Sequence, residues 1–496
     1  MRTLVMREWT RKTILLAGAV VLAISGYLLA CQTAAGLGYP LDDAWIHQTY
    51  ARNLIRYGEW SFIPGHPSGG STAPLWSALI APAYLLGSSG FGWTMLLGGL
   101  GLLGLGWFGQ RIFDAINEGN LSLFPWAGFL LVFEWHMIWA AASGMETILY
   151  AAAILFVFWR LAAQKEKGWL GTGMLVGLTV WLRPDGLTLL GPVMYVAFFI
   201  CEGEKKKIQA AVKVMGGFLL LFLPYLVFNY YLAGGWWPNT FFAKQAEYAI
   251  RLEAPLFSRF LLLAQLPLVG GGVLLMPGFL WASWQSLVKR RWIIQAAVLW
   301  WLGYTLIYAL RLPVDYQHGR YLMPAMPVYF LTGFLGTIEF WQQQLVRTRV
   351  LSMVRKAWVF SLVLVLAAFY FIGAFQAYAL DVAIIKTEMV AAADWIALNT
   401  EPQAVIAAHD IGALGYFGER TVVDLAGLIS PDVIPFIRDE DQLAAYMDKQ
   451  QTAYLMTFPG WYNRLPAMGK LVFQTDGDFS PQAGGENMAV YRWSGR

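Results

Sequence analysis

Apolar residues fill long, nearly unbroken stretches over the first 380 positions and short, alternating ones after that. The first stretch, 13–35, is about 23 residues, enough for a helix to span the hydrocarbon core of a bilayer. Ten more lie near 91–110, 121–142, 146–162, 169–182, 186–201, 209–231, 260–282, 292–310, 321–340 and 357–379. A further run, 72–87, is short for a crossing at about 16 residues and carries Pro74 and Pro82. None recurs at a solenoid period. No small-residue cleavage site follows the first run, which therefore reads as a retained span and not as a removed signal. From about residue 381 the pattern predicts a helix at 390–399, strands at 404–408, 421–425, 453–456 and 488–492, and a helix at 439–450. The expected fold class is an α-helical polytopic membrane protein of 11–13 spans over residues 1–380, with a small α/β domain at 381–496.

Charge orients the spans. Basic residues cluster before the first run (Arg2, Arg7, Arg11, Lys12), at Arg111, Arg160/Lys165/Lys167, Lys205/Lys206/Lys207/Lys213, Lys289/Arg290/Arg291 and Arg347/Arg349/Arg355/Lys356, 19 of the 35 in all. The opposite loops hold eight: Arg52, Arg56, Arg183, Lys244, Arg251, Arg259, Arg311 and Arg320. The positive-inside rule then puts the N-terminus in the cytoplasm and the C-terminal domain outside, in a bacterial inner membrane. Those two ends require an odd number of crossings, so 72–87 is taken as the non-crossing piece and eleven spans are expected. With 58% hydrophobic and 13% charged residues, against about 25% charged in soluble domains, the chain reads as neither a soluble enzyme nor a nucleic-acid module. Cys31 and Cys201 fall at opposite membrane faces, so no disulfide is expected.

Polar knots in so apolar a chain are informative. The sharpest is Leu41-Asp42-Asp43-Ala44-Trp45-Ile46-His47, opening a stretch in which Ile46, Tyr50, Leu54 and Tyr57 share one helical face. This predicts an amphipathic helix along the membrane surface, N-capped by Asp42 or Asp43, within a first external loop spanning 36–72. Adjacent carboxylates near arginines suit general-base chemistry, because the cations keep one ionised while each charge raises the other's proton affinity. A plain cap beside a solvated acid fits the same spacing.

Four further knots are Ser143-Gly144-Met145-Glu146-Thr147, Arg183-Pro184-Asp185-Gly186, Pro238-Asn239-Thr240-Phe241-Phe242-Ala243-Lys244 and His318-Gly319-Arg320-Tyr321. Each alone also reads as a satisfied acid, a salt-bridged turn, an aromatic belt or a snorkelling arginine. Together they set Glu146, Arg183, Asp185, Asn239, Lys244, His318, Arg320 and Tyr321 on the Asp42-Asp43 side as candidate substrate-binding residues. That concentration suits an anionic, lipid-linked substrate whose phosphate needs Arg and Lys while a hydroxyl elsewhere needs a base. The scattered histidines, with no HExxH or CxxC pairing, leave zinc unsupported, and no Walker-type loop points to ATP. Whether Asp42, Asp43 or Glu146 holds a divalent cation is left open.

Asp42-Asp43-Ala44-Trp45 with Tyr50-Ala51-Arg52-Asn53 resembles the first external loop of GT-C glycosyltransferases. The four later knots are similar to the branch containing mycobacterial terminal arabinofuranosyltransferases, as are His409-Asp410-Ile411-Gly412-Ala413-Leu414-Gly415-Tyr416-Phe417 and Val423-Asp424-Leu425-Ala426-Gly427-Leu428. The resemblance implies inverting transfer of a sugar from a polyprenyl-phosphate donor to an extracytoplasmic glycan, lipid or protein. It also implies a first-loop acid as base, Asp42 or Asp43, of which Asp42 is preferred; charge and side make Arg183, Lys244 and Arg320 the candidates to hold the departing phosphate. Asp410 and Tyr416 would help shape the acceptor side. Three other readings are a polysaccharide ligase or polymerase, a lipid or solute transporter, and an assembly scaffold. A transporter predicts mid-membrane polar residues and inverted repeats, which the pattern lacks.

Overall fold

The protein is described from a computed structural model covering residues 2–87, 89–117, 122, 124–163, 168–343 and 348–495, with side chains from Glu8 onward. Lys165, Lys167 and Arg347 of the basic clusters lie outside the described residues, as do the side chains of Arg2 and Arg7.

Each of the eleven apolar runs forms a helix or a broken pair of helices. Among the described residues six helices are long and apolar enough to cross a membrane alone: Glu8–Ala34, Phe91–Ile116, Glu204–Ala233, Trp292–Arg311, Tyr316–Gln342 and Arg349–Asn399. Leu256–Leu268 and Gly272–Val288 add a seventh if that pair, bent by 112°, is one span. The other apolar helices are shorter. Trp169–Leu182, at 14 residues, reaches only about 21 Å against the roughly 30 Å of a hydrocarbon core. These short helices begin or end on polar residues: Thr147–Ala163 starts after Glu146, and Trp169–Leu182 stops at Arg183. The 121–142 run breaks at Glu134, which is extended and caps Trp135–Ala142 by accepting from the His136 N–H. The run 72–87 forms two short helices, Pro74–Ile80 and Pro82–Leu85, each opening on its proline.

Lys12, at the start of the first span, pairs with Asp114 at the end of Phe91–Ile116, 2.8 Å away. The two helices therefore run antiparallel, and Tyr39–Asp43 lies at the other end of the bundle. The C-terminal domain sits at that same end. Its five strands are ordered Thr421–Asp424, Val405–Ala408, Tyr454–Thr457, Ala489–Trp493 and Gly469–Gln474. The first three are parallel and the last two join antiparallel. Four match the expected strands. Gly469–Gln474 was not expected, because as a largely exposed edge it lacks a buried face to impose alternation. Glu440–Lys449 forms the expected helix, capped by Asp439.

No loop separates the two parts at residue 380: helix Arg349–Asn399 runs continuously through it, with wider turns at Gly373–Tyr378 and Lys386–Val390. Glu388 on this helix is fully buried. It accepts from the Met488 N–H (2.9 Å), the Asn487 amide (3.2 Å) and the Thr475 hydroxyl, which ties the sheet to the helix.

Candidate active site

The helix expected on the membrane surface, Asp43–Tyr57, is instead wedged between bundle and C-terminal domain, with Ile46 through Ala51 all buried. Trp45 packs between Tyr416 and Phe417, ring centroids 4.8 and 4.6 Å away, and Arg52 donates to the carbonyls of Tyr416 (2.7 Å) and Gly415 (3.0 Å). The helix is amphipathic because one face meets the bundle and the other a second domain. Its expected side-chain cap is also absent. Asp42 turns outward and accepts backbone N–H groups of the C-terminal domain, Gly412 on one oxygen (2.6 Å) and Ala413 on the other (2.7 Å).

Asp43, one position on, points the opposite way into a cavity of about 140 Å³, an order of magnitude more than one water requires (~10–15 Å³). Its carboxylate lies 2.6 Å from Arg320 Nη1, and the same guanidinium donates to the Tyr321 hydroxyl at 3.2 Å. Across the cavity, Arg183 donates to Glu146 (3.1 Å) and Asp185 (3.1 Å), and Asp185 accepts from the Tyr308 hydroxyl (2.6 Å). Lys244 pairs with Glu247 at 2.9 Å. His47 bonds the Ser77 hydroxyl through Nδ1 (2.8 Å) and turns Nε2 toward Glu146 (3.7 Å). Among the described residues, buried Glu146 Oε2 and Arg320 Nε have no hydrogen-bond partner.

The two aspartates titrate in opposite directions. Burial pushes Asp43 up, but Arg320 and Lys244 outweigh it and hold the carboxyl below its usual range. Burial and the nearby Asp410 charge raise Asp42 to about 8, against the pull of its two backbone donors. Burial keeps His47 neutral by lowering it, despite Glu146 and Asp43. Glu247 is driven down to about 2, burial being overcome by His409 and Lys244.

Of the expected site residues, Asp43, Glu146, Arg183, Asp185, Lys244, Arg320 and Tyr321 line the cavity. Asp42, the preferred base in the sequence reading, does not; its carboxylate is spent on the domain contact. Asn239 is buried beside Thr240, and only Thr240 reaches the wall. His318 also stays outside, pairing with Asp381 at 2.8 Å between Trp135 and Trp139. Sequence reasoning missed His47, Tyr308 and Arg311 as lining residues. Arg311 and Tyr308 sit three residues apart at the end of one span, a helical spacing that marks a shared face. Among the described residues no three His, Cys, Asp or Glu side chains gather into a group that could hold a metal ion.

A family described as a domain of unknown function, DUF8728, matches residues 380–491. No curated protein matches the chain. Among solved structures, apo ArnT from Cupriavidus metallidurans superposes with a TM-score of 0.61 at 14% identity, covering 95% of this chain and 96% of that one. The same protein bound to undecaprenyl phosphate gives 0.59 at 14%, covering 95% and 97%. The Archaeoglobus fulgidus oligosaccharyltransferase AglB, in complex with an inhibitory peptide and a dolichol-phosphate, gives 0.56 at 13%, covering 89% of this chain and 69% of that one. The chain thus shares the fold of these structures and has the expected fold class, a multi-pass helical membrane module with a small C-terminal sheet domain.

Proposed function

We propose that the chain is a membrane glycosyltransferase that moves a sugar from a polyprenyl-phosphate donor to a hydroxyl of a cell-envelope glycan, lipid or protein, with inversion. The observation that carries this reading is the meeting of Asp43 with Arg183, Lys244, Arg311 and Arg320, from four distant stretches of the chain, in one cavity. An ionised Asp43 accepts the acceptor hydroxyl's proton as its oxygen attacks the anomeric carbon. The bond to the lipid phosphate breaks on the opposite face, and the phosphate leaves with the bonding pair. Charge on that phosphate grows as the bond breaks, so cations placed beforehand favour the transition state over the ground state. Arg311 is the cation best placed to take it, since it stacks on Phe241 (5.4 Å) and pairs with no carboxylate among the described residues. Solved relatives in fold bind undecaprenyl phosphate and dolichol-phosphate, which makes an isoprenoid carrier the first choice. The basic bias at the Lys12 end supports a cytoplasmic N-terminus and an extracytoplasmic cavity. The motif likeness puts an arabinofuranosyl donor first in the assay.

The test is sugar transfer by the purified protein from a panel of polyprenyl-phosphate sugars. Asp43→Ala is expected to cut transfer by at least ~100-fold, since general-base catalysis contributes ~10²–10⁴. Transfer by no donor, or a smaller loss, overturns the reading.

A further inference from the structure

The family match assigns residues 380–491 no role, yet one short loop of that domain touches both halves of the cavity. It follows strand Val405–Ala408, at the carboxyl ends of the parallel strands, where open α/β sheets place their working loops. From this loop the N–H groups of Gly412 and Ala413 bind Asp42, the residue preceding Asp43. The approach leaves no room for a side chain: a Cβ on Gly412 would run into the Asp42 backbone carbonyl and stand 2.7 Å from its carboxylate. On the other side, His409 Nε2 lies 3.5 Å from Glu247, whose second oxygen holds Lys244 at 2.9 Å. His409 is itself buried, stacked on Trp461 (4.7 Å between centroids) with Nδ1 3.4 Å from the Tyr462 hydroxyl. The next strand ends in Asp424, which gathers the N–H groups of Ala426 (2.8 Å) and Ile429 (2.7 Å) and so folds a loop whose Leu428 forms part of the cavity wall.

We propose that the C-terminal domain is a working part of the catalytic site: through 409–413 it positions Asp43 by way of Asp42, and Lys244 by way of Glu247, with His409 and Asp42 as positioning residues. This rests on the glycosyl-transfer reading for its kinetic consequences but not for its geometry. A lysine on a four-carbon stem carries about 2 kcal/mol of rotamer entropy, so its charge is useful only where something holds it. Glu247 does so, and His409 keeps Glu247 from swinging away. The low proton affinity of Glu247 fits a carboxylate set between Lys244 and His409. Asp43 has no clamp of its own on the backbone side; the contact one residue earlier supplies it. Displacements near 1 Å at such groups cost on the order of 100-fold in rate.

The experiment uses the full chain in lipid nanodiscs, comparing His409→Ala, His409→Gln, Gly412→Ala, Asp42→Ala and Asp42→Asn with the unaltered protein. His409→Ala is expected to raise the donor KM about tenfold with little change in kcat, and His409→Gln, which can still donate to Glu247, to restore most of it. Gly412→Ala and Asp42→Ala are expected to lower kcat by about tenfold or more at nearly constant KM, with Asp42→Asn losing less because it keeps one acceptor. A merely structural seam would instead lower the amount of folded protein and leave both constants per folded molecule unchanged, which overturns the proposal. Two measurements need no activity: hydrogen exchange across 43–57, and the rate at which an amine-acylating reagent modifies Lys244. Exchange should speed up in Gly412→Ala and acylation in His409→Ala, each by about tenfold. If the unaltered protein transfers no sugar, the functional reading fails while these rates still decide the positional one; unchanged rates overturn it.

Discussion

Two buried clusters of opposite charge sit at the two ends of the bundle, and they are built differently. At one end Lys12 pairs with Glu8 (3.1 Å) and Asp114 (2.8 Å), while Arg111 lies over the rings of Trp9, Trp107 and Trp159. Glu8, Lys12 and Asp114 there pair with one another, and Arg111 rests on aromatic faces. At the other end Asp43–Arg320 and Glu146–Arg183–Asp185 surround open space, and Glu146 Oε2 and Arg320 Nε are left without hydrogen bonds. A buried polar atom without a partner costs about 1–3 kcal/mol, which a ligand hydrogen bond would recover. The two ends differ in that the charges around the Asp43 cavity leave hydrogen-bonding capacity unused.

The comparison breaks most sharply at Asp43. Asp43→Asn keeps the side-chain volume and one acceptor for Arg320, so we expect a folded protein whose transfer rate falls by ~10²–10⁴. A fall below tenfold in the same assay would move the base elsewhere. Glu146→Gln comes next: it weakens the hold on Arg183 and replaces an acceptor facing the cavity, and a rise in donor KM of about tenfold or more is expected from steady-state kinetics. The pH profile sharpens the choice between the neighbours. A base works deprotonated, so with Asp43 held below the usual carboxylate range transfer should be nearly flat from pH 5 to 8. Were Asp42 the base, with its affinity raised to about 8, the rate would climb about tenfold per pH unit up to that point. The smallest effect on transfer is expected at the other cluster. Lys12→Met strands Asp114 in a buried site and should lower stability by about 3–5 kcal/mol, yet leave kcat per folded molecule within about twofold. A large loss of kcat there would remove the distinction between the two ends.

Stability adds one more check. Glu247 is depressed from an ordinary 4.5 to about 2, so its contribution is present above pH 4.5 and is lost as pH falls toward 2. Glu247→Gln should flatten that acid limb in thermal melts.

Much of this was legible in one dimension. Span length, proline placement and the polar knots depend on neighbours a few residues away, so eleven apolar runs, four of the strands and seven of the lining residues could be read from the chain. The rest could not. Gly469–Gln474 is an exposed edge with no alternation to betray it. His318 looked like part of the site because it stands two residues before Arg320, yet positive φ at Gln317 (51°) and His318 (59°) turns it away toward Asp381. Arg311 reads as one more interfacial arginine until its span is seen to end at the cavity.

By itself, then, the sequence determined a membrane protein and the adjacent acids Asp42 and Asp43 among its polar knots. Only the tertiary structure decided which of the two faces the cavity. Successive residues at the start of a helix diverge by about 100°, so one of the two had to leave the cavity. Which one was set by backbone N–H groups 370 and 371 positions away in sequence, a distance over which no local pattern carries information.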